Sequence, residues 1–260
     1  ENDRIIGGVD PESTQVVKEI YQRFVKGNIY TTDSRTAELC KLMENTFRDV
    51  NIALANELAI LSEKMGINAW EVIKLANKHP RVNLHLPGPG VGGHCIAVDP
   101  WFVIEGQPEG KLIRQARERN DGMPDHVLDT IKKLTEGITS PRISIFGVTY
   151  KPDVDDTRES PIMKLIDKLL RDGSFHVSIH DPHIDDAIFR YRELRKASAL
   201  EAAEGADLLV LAVNHSDYMK LDFEGIGQVM RTKQIYDTRN FLAGKELESL
   251  GYKVVILGRG

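Results

Sequence analysis

The chain has 260 residues, 41% of them apolar and 28% charged, enough material for two cores. Its 34 Lys and Arg against 39 Asp and Glu give a formal charge of −5, which argues against nucleic acid as a partner because that needs a basic face. No run approaches the roughly 18 apolar residues of a membrane helix, so no membrane association is expected. Two cysteines, Cys40 and Cys95, are too few for a disulfide framework, and a reducing, cytoplasmic setting follows.

Glu1-Asn2-Asp3-Arg4 has no signal-peptide character. With no initiator Met, and with Ile5-Ile6-Gly7-Gly8 reading like the end of a strand, the chain is expected to be a fragment whose N-terminal part is missing. Ser13 is a candidate N-cap for an amphipathic helix with Val16, Val17, Ile20, Tyr21 and Phe24 on one face. Thr31, Thr32, Asp33 and Ser34 offer cap oxygens for a second helix, with Glu38 near the positive end of its dipole. That helix should run to Met65, because Leu39, Leu42, Met43, Phe47, Val50, Leu54, Leu58, Leu61 and Met65 recur at a helical period and Gly66 ends it. At about 45 Å long and apolar nearly all round in its second half, it is expected to form a homodimer. A short helix over residues 69–77 follows. Residues 79–100 read as a loop rich in Gly, Pro and His, and helical pattern resumes over 101–134 with breaks near Pro108 and Gly122.

The texture changes at Pro141. Strand-like runs at 143–148, 177–180, 207–213, 234–237 and 252–256 alternate with helical stretches at 162–170, capped by Ser160, and 200–203. This pattern predicts a parallel, doubly wound sheet whose ligands sit beyond the strands' carboxyl ends. Those ends carry Tyr150-Lys151, Asp181, Asn214-His215 and Thr238-Arg239-Asn240.

The segment Pro87-Gly88-Pro89-Gly90-Val91-Gly92-Gly93-His94-Cys95 is the richest in chemistry. Its G-x-G-x-x-G spacing suggests a dinucleotide turn, but no strand precedes it and Pro100 comes too soon for a following helix. A flexible glycine loop is the plain alternative. The reading that fits best is that glycines let backbone approach a ligand closely and hold Cys95 beside it. A lone Cys is commonly an inert buried thiol, yet His94, Lys41 or loop amides could lower the thiol's pKa from its free value near ~8.5. Zinc held by His79, His85, His94 and Cys95 competes, although adjacent His-Cys is awkward for one tetrahedral ion. Lys41 and Asn45 share a helix face, for which a solvated surface is the simpler account. Lys151 to Ser160 either binds phosphate at the sheet edge or caps the next helix.

Taken together, these segments resemble the UDP-glucose/GDP-mannose dehydrogenase family over essentially all 260 residues. The resemblance is carried by Ala37-Glu38-Leu39-Cys40-Lys41 through Asn45, by Arg81, and by Pro87 to Asp99 with its Gly-Gly-x-Cys core. Gly147-x-x-Tyr150-Lys151-Pro152-Asp153, Asp156-Thr157-Arg158-Glu159-Ser160 and Asp237-Thr238-Arg239-Asn240 complete it. The variant Gly92-Gly93-His94-Cys95-Ile96-Ala97-Val98-Asp99 is similar to the branch that oxidises UDP-N-acetyl-D-mannosamine.

The resemblance implies an α/β enzyme. Residues 1–30 would be a lead-in from an absent NAD-binding domain, 31–135 a helical dimerisation core, and 136–260 a Rossmann-like UDP-binding domain. The family's glycine fingerprint and catalytic Glu segment are not in this chain, so it is expected to be inactive alone. The resemblance further implies that Cys95 attacks the C6 aldehyde, that Lys41 and Asn45 stabilise the oxyanion, and that Asp99 acts as base or orients water. Leu86, Pro87, Gly88, Pro89, Gly90, Val91 and Gly92 would line uridine and diphosphate. Arg81 would reach the substrate of a partner subunit, Tyr150, Lys151 and Arg239 would bind the UDP-sugar, and Arg158 would touch NAD. UDP-N-acetylglucosamine or UDP-glucose as substrate, a non-catalytic UDP-sugar-binding module, and a zinc hydrolase remain alternatives.

Overall fold

The computed structural model describes residues 2–185, 189–242 and 246–260. It opens on a βαβ unit in which β1 (Arg4–Gly8) and β2 (Ile29–Asp33) pair in parallel, joined by helix α1 (Pro11–Gln22). Asp10, not Ser13, caps α1: its side chain accepts the Ser13 N–H at 2.7 Å. Pro11 then occupies the first turn, where its missing N–H costs nothing. Thr31 and Thr32, expected as caps, lie inside β2, which suits β-branched side chains. Of α1, only Thr14 is buried, and the apolar face of Val16, Val17, Ile20 and Phe24 is exposed.

Helix α2 (Ser34–Met65) has 32 residues and is about 48 Å long. Asp33 caps it by accepting the Thr36 N–H at 3.0 Å, and Gly66 ends it at φ 68°. Its burial inverts the expected stripe. Leu39, Met43, Phe47, Leu54, Leu61 and Met65 are exposed, whereas Asn45, Thr46, Asp49, Asn56 and Ser62 are buried. The buried side faces two helices of the same chain, α4 (Asp99–Ile104) and α5 (Lys111–Asp121). Helix α3 (Ala69–Ala76) precedes them, and α6 (Met123–Leu134) follows. The expectation that Pro100 forbids a helix after the glycine loop is corrected: Pro100 sits in the first turn of α4, where proline is well tolerated.

The rest is a five-stranded parallel sheet in the order β4-β3-β5-β6-β7, made of β3 (Arg142–Phe146), β4 (His176–His180), β5 (Leu208–Leu211), β6 (Gln234–Asp237) and β7 (Lys253–Ile256). Helices α7 (Pro161–Asp172), α8 (Ala199–Ala203) and α9 (Phe223–Val229) complete it; α9 has no counterpart in the sequence reading. Side chains alternate between two cores, as the period of a strand requires. Ile143, Ile145, Leu208 and Val210 face α7 and also Met123, Val127 and Ile131 of α6, while Phe146, Leu209, Leu211 and Ile235 face α8 and α9. The helical part and the sheet therefore share one apolar cluster. The strand order reverses between β3 and β5, and the crevice beyond their carboxyl ends is where such sheets take ligands. Leu165, fully buried between α7 and the sheet, tests this core. Leu165→Ala should lower unfolding free energy by about 2–5 kcal/mol, read from the midpoint of a denaturant titration.

Candidate active site

The loop between α3 and α4 presents Cys95 to solvent as a free thiol. The Cys95 carbonyl accepts the N–H groups of Val98 at 3.0 Å and Asp99 at 2.8 Å, closing the turn that starts α4. The Asp99 carboxylate in turn accepts Nδ2 of Asn45 at 2.5 Å, reaching across to α2. Asn45 is 1% exposed, and its Oδ1 accepts a guanidinium N–H of Arg48. The cation takes the oxygen, so the amide N–H₂ must face Asp99. Cys95, Asp99 and Asn45 thus form one connected group. Lys41, one turn before Asn45, is exposed and pairs with Glu44 at 3.2 Å. Arg48 was missed by the sequence reading, although its place three residues after Asn45 puts it on the same helix face.

The glycines of the loop do approach something closely, but it is the protein itself. Pro87 to Val91 are buried, and Leu86 is exposed. A Cβ on Gly88 would collide with the Arg239 guanidinium. One on Gly90 would lie 2.7 Å from Pro161 Cβ, one on Gly92 2.9 Å from Tyr150 Cβ, and one on Gly93 2.9 Å from the Tyr150 ring. The glycines let the loop seat against Tyr150, Pro161 and Arg239 of the sheet domain. Gly93, at φ 85°, also needs a backbone conformation that suits glycine.

Two of the residues beside the loop come from the reversal point of the sheet. Tyr150 follows β3, and Lys151 lies with its ammonium 5.5 Å from the Tyr150 ring centroid. Arg239 follows β6 and donates from Nε to the carbonyl of Ala212, just beyond β5, at 3.3 Å. Loss of hydration pulls the Arg239 guanidinium down to about 10, against the opposing pull of Asp237, so it remains a cation at neutral pH. Asp237 is fully buried and accepts the backbone N–H groups of Arg239 and Leu242 at 2.9 and 2.8 Å. Among the described residues Arg239 has no carboxylate ion pair. Arg81 is exposed and likewise makes no ion pair among them.

Arg158 has a different environment. It is exposed and grips Asp156 through two bonds of 2.9 and 2.7 Å. His94, beside Cys95, stands 3.7 Å from the same carboxylate.

Three residues near the crevice, Asp153, His183 and His215, bring donor atoms within 4.8 Å of one another. His215 is not free to bind a metal there: Nδ1 accepts the Asp153 N–H at 3.0 Å, and Nε2 lies 3.1 Å from Asp181. His79, His85, His94 and Cys95 do not gather into a metal-binding group among the described residues. A Cβ on Gly7 would strike the Asp33 carbonyl, and one on Gly8 would lie 2.6 Å from the Thr14 nitrogen. These glycines serve packing within the chain.

This arrangement, a cysteine loop on a helical layer closed against a doubly wound domain, has relatives. Residues 35–122 match the central domain, and residues 144–244 the UDP-binding domain, of the UDP-glucose/GDP-mannose dehydrogenase family. The chain belongs to that family. It is 52% identical to a UDP-N-acetyl-D-mannosamine dehydrogenase of Methanocaldococcus jannaschii, a match covering 100% of this chain and 60% of the relative. An NDP-N-acetyl-D-galactosaminuronic acid dehydrogenase of Ralstonia solanacearum is 44% identical, over 95% of this chain and 58% of the relative. Among solved structures, UDP-D-ManNAc dehydrogenase from Pyrococcus horikoshii superposes with a TM-score of 0.89 at 39% identity, covering 100% of this chain and 60% of that one. The chain spans about three fifths of the length of these curated relatives. No helix among the described residues is long and apolar enough to cross a membrane.

The Asp156–Arg158 pair is open to direct titration. Hydrogen bonds from Arg158 hold the Asp156 carboxyl at about 2. This is a depressed carboxylate, so what the pair contributes is present above the ordinary carboxyl range and is lost as pH falls through about 2. Arg158→Ala should return the Asp156 carboxyl toward its ordinary value near 3.8, followed by the pH dependence of its carbon-13 shift.

Proposed function

We propose that the protein oxidises the C6 alcohol of UDP-N-acetyl-D-mannosamine to the carboxylate of UDP-N-acetyl-D-mannosaminuronate. The observation that carries this reading is the solvent-facing Cys95 thiol on a turn bonded through Asp99 to Asn45. The identity of the relatives over the whole of this chain supports the substrate. Four electrons leave the carbon in two steps. NAD⁺ is assigned as their acceptor because the family consists of dehydrogenases, and Arg158 as the residue of this chain that would contact it.

The chain's own residues account for the covalent part. At the aldehyde stage the Cys95 thiolate adds to C6, and the carbonyl oxygen becomes a thiohemiacetal oxygen. That oxygen carries developing negative charge, which the Lys41 ammonium and the Asn45 amide would stabilise. Loss of two further electrons leaves a thioester. Asp99 takes a proton from water, the hydroxide adds to the thioester carbon, and the C–S bond breaks to return the thiolate and release the acid. Asn45 now donates to Asp99, so the substrate oxygen would share or replace that acceptor.

The UDP group brings a diphosphate that needs cations, which this mildly acidic chain must supply locally. Arg239 and Lys151, with Tyr150, meet that need from the sheet side, and residues 86–92 bound the same space. Arg81, exposed and without an ion pair among the described residues, is assigned to the partner subunit's substrate. The two free cysteines fit the cytoplasmic setting assigned to it.

The partner is a second copy of the chain. Leu39, Met43, Phe47, Leu54 and Leu61 form an exposed apolar stripe along α2, and a self-complementary pairing would cover it. Phe47→Glu combined with Leu54→Glu should shift the protein from dimer to monomer in sedimentation velocity. In the active enzyme, Cys95→Ala should abolish uronate formation by about a thousandfold or more while UDP still binds. Turnover at the wild-type rate would exclude Cys95 as the nucleophile.

A further inference from the structure

Beneath the glycine loop lies a chain of buried polar groups that the chemistry above does not use. Asn56 on α2 is fully buried, and Asn120 on α5 is 1% exposed. Nδ2 of Asn120 donates to two oxygens of Asp49, the backbone carbonyl at 2.9 Å and Oδ1 at 2.8 Å. Its own Oδ1 therefore points the other way, where it accepts Nδ2 of Asn56 at 2.9 Å. That leaves Oδ1 of Asn56 aimed at the loop, where it accepts the Gly88 N–H at 2.9 Å. Each amide has one orientation that satisfies both neighbours. Asp49 anchors the sequence and is itself fully buried and bonded to Arg117 at 2.5 Å.

The same Asn120 touches the loop a second time. Its backbone carbonyl lies 3.2 Å from the place a Cβ would take on Gly90. Gly88 and Gly90 thus rest on two groups of one buried relay, while Arg239 covers Gly88 from the sheet side. The Gly88 N–H is used inside the protein and is not a donor for a diphosphate.

We propose that Asn56 and Asn120 are positioning residues: their amide relay, oriented by Asp49, sets the height of the Gly88–Gly90 segment against Arg239 and so shapes the nucleotide-sugar subsite. This rests on the UDP-sugar reading of the site. Removing the relay leaves the Gly88 N–H and an Asn120 oxygen buried without partners, and the loop must move to find new ones.

The test is Asn56→Asp in the full chain beside wild type, with UDP as the probe in calorimetry. The carboxylate still accepts from Gly88 but turns a second acceptor toward Asn120 Oδ1. The protonated acid, favoured by burial, regains the missing donor. The variant-to-wild-type ratio of UDP dissociation constants should be about tenfold at about pH 8 and within about twofold at about pH 5.5. A purely structural role would lower the melting temperature and leave this ratio near one at both values, which would overturn the proposal. UDP that fails to bind wild type overturns the functional reading instead. Should Asn56→Asp not fold near neutral pH, hydrogen exchange at the wild-type Gly88 amide decides. Strong protection relative to neighbouring loop amides is expected, and equal exchange sinks the relay.

Discussion

Asn45, Asp49 and Asn56 lie along one side of α2, and all three are out of water. A buried amide or carboxylate is tolerated only if its donors and acceptors are met. Their partners come from other parts of the chain: Asp99 at the start of α4 for Asn45, Arg117 and Asn120 on α5 for Oδ1 of Asp49, and Gly88 of the loop with Asn120 for Asn56, while Oδ2 of Asp49 has no partner among the described residues. One helix face thereby dictates where α4, α5 and the loop can sit. The arrangement is demanding. Burial raises the Asp49 carboxyl above its usual range despite Arg117 and Asn120 beside it, so removal of either partner would leave a group the interior cannot solvate.

The polar side being inward explains the apolar side being outward. Leu39, Phe47, Leu54 and Leu61 keep their helical period and stay about half exposed, with Phe47 meeting the His85 ring edge-on. The hydrophobic stripe and the hydrogen-bonded stripe are distinct: the first is exposed apolar surface, the second holds the loop that bears Cys95. A substitution on one stripe is expected to leave the other's contacts intact, since the side chains point apart.

The sheet contributes a second constraint. Its strand order reverses between β3 and β5; Tyr150 follows β3, and Arg239, following β6, reaches the Ala212 carbonyl just beyond β5. The loop's glycines allow close contact with Tyr150, Pro161 and Arg239, and α6 packs into the same apolar cluster as α7. The thiol and the cations therefore belong to different layers of the molecule, and the loop's glycines let those layers pack closely.

Much of this was legible in the residues. Gly66 with the unbroken stretch before it marked the end of α2, and Ser160 marked the start of α7, because caps and stops act within a few positions of the chain. The alternation of short apolar runs with helices after Pro141 specified a parallel sheet for the same local reason. The family motifs marked Cys95, Lys41, Asn45 and Asp99. What the sequence could not settle was direction. A period of 3.6 shows that a helix has two faces but not which one turns inward, and only the packing of α4 and α5 against α2 decided that the amides are buried and the leucines exposed. Likewise a row of glycines announces a close approach without naming what approaches. That Tyr150, Pro161 and Arg239 fill the space follows from contacts between residues tens of positions apart, which local chemistry does not encode.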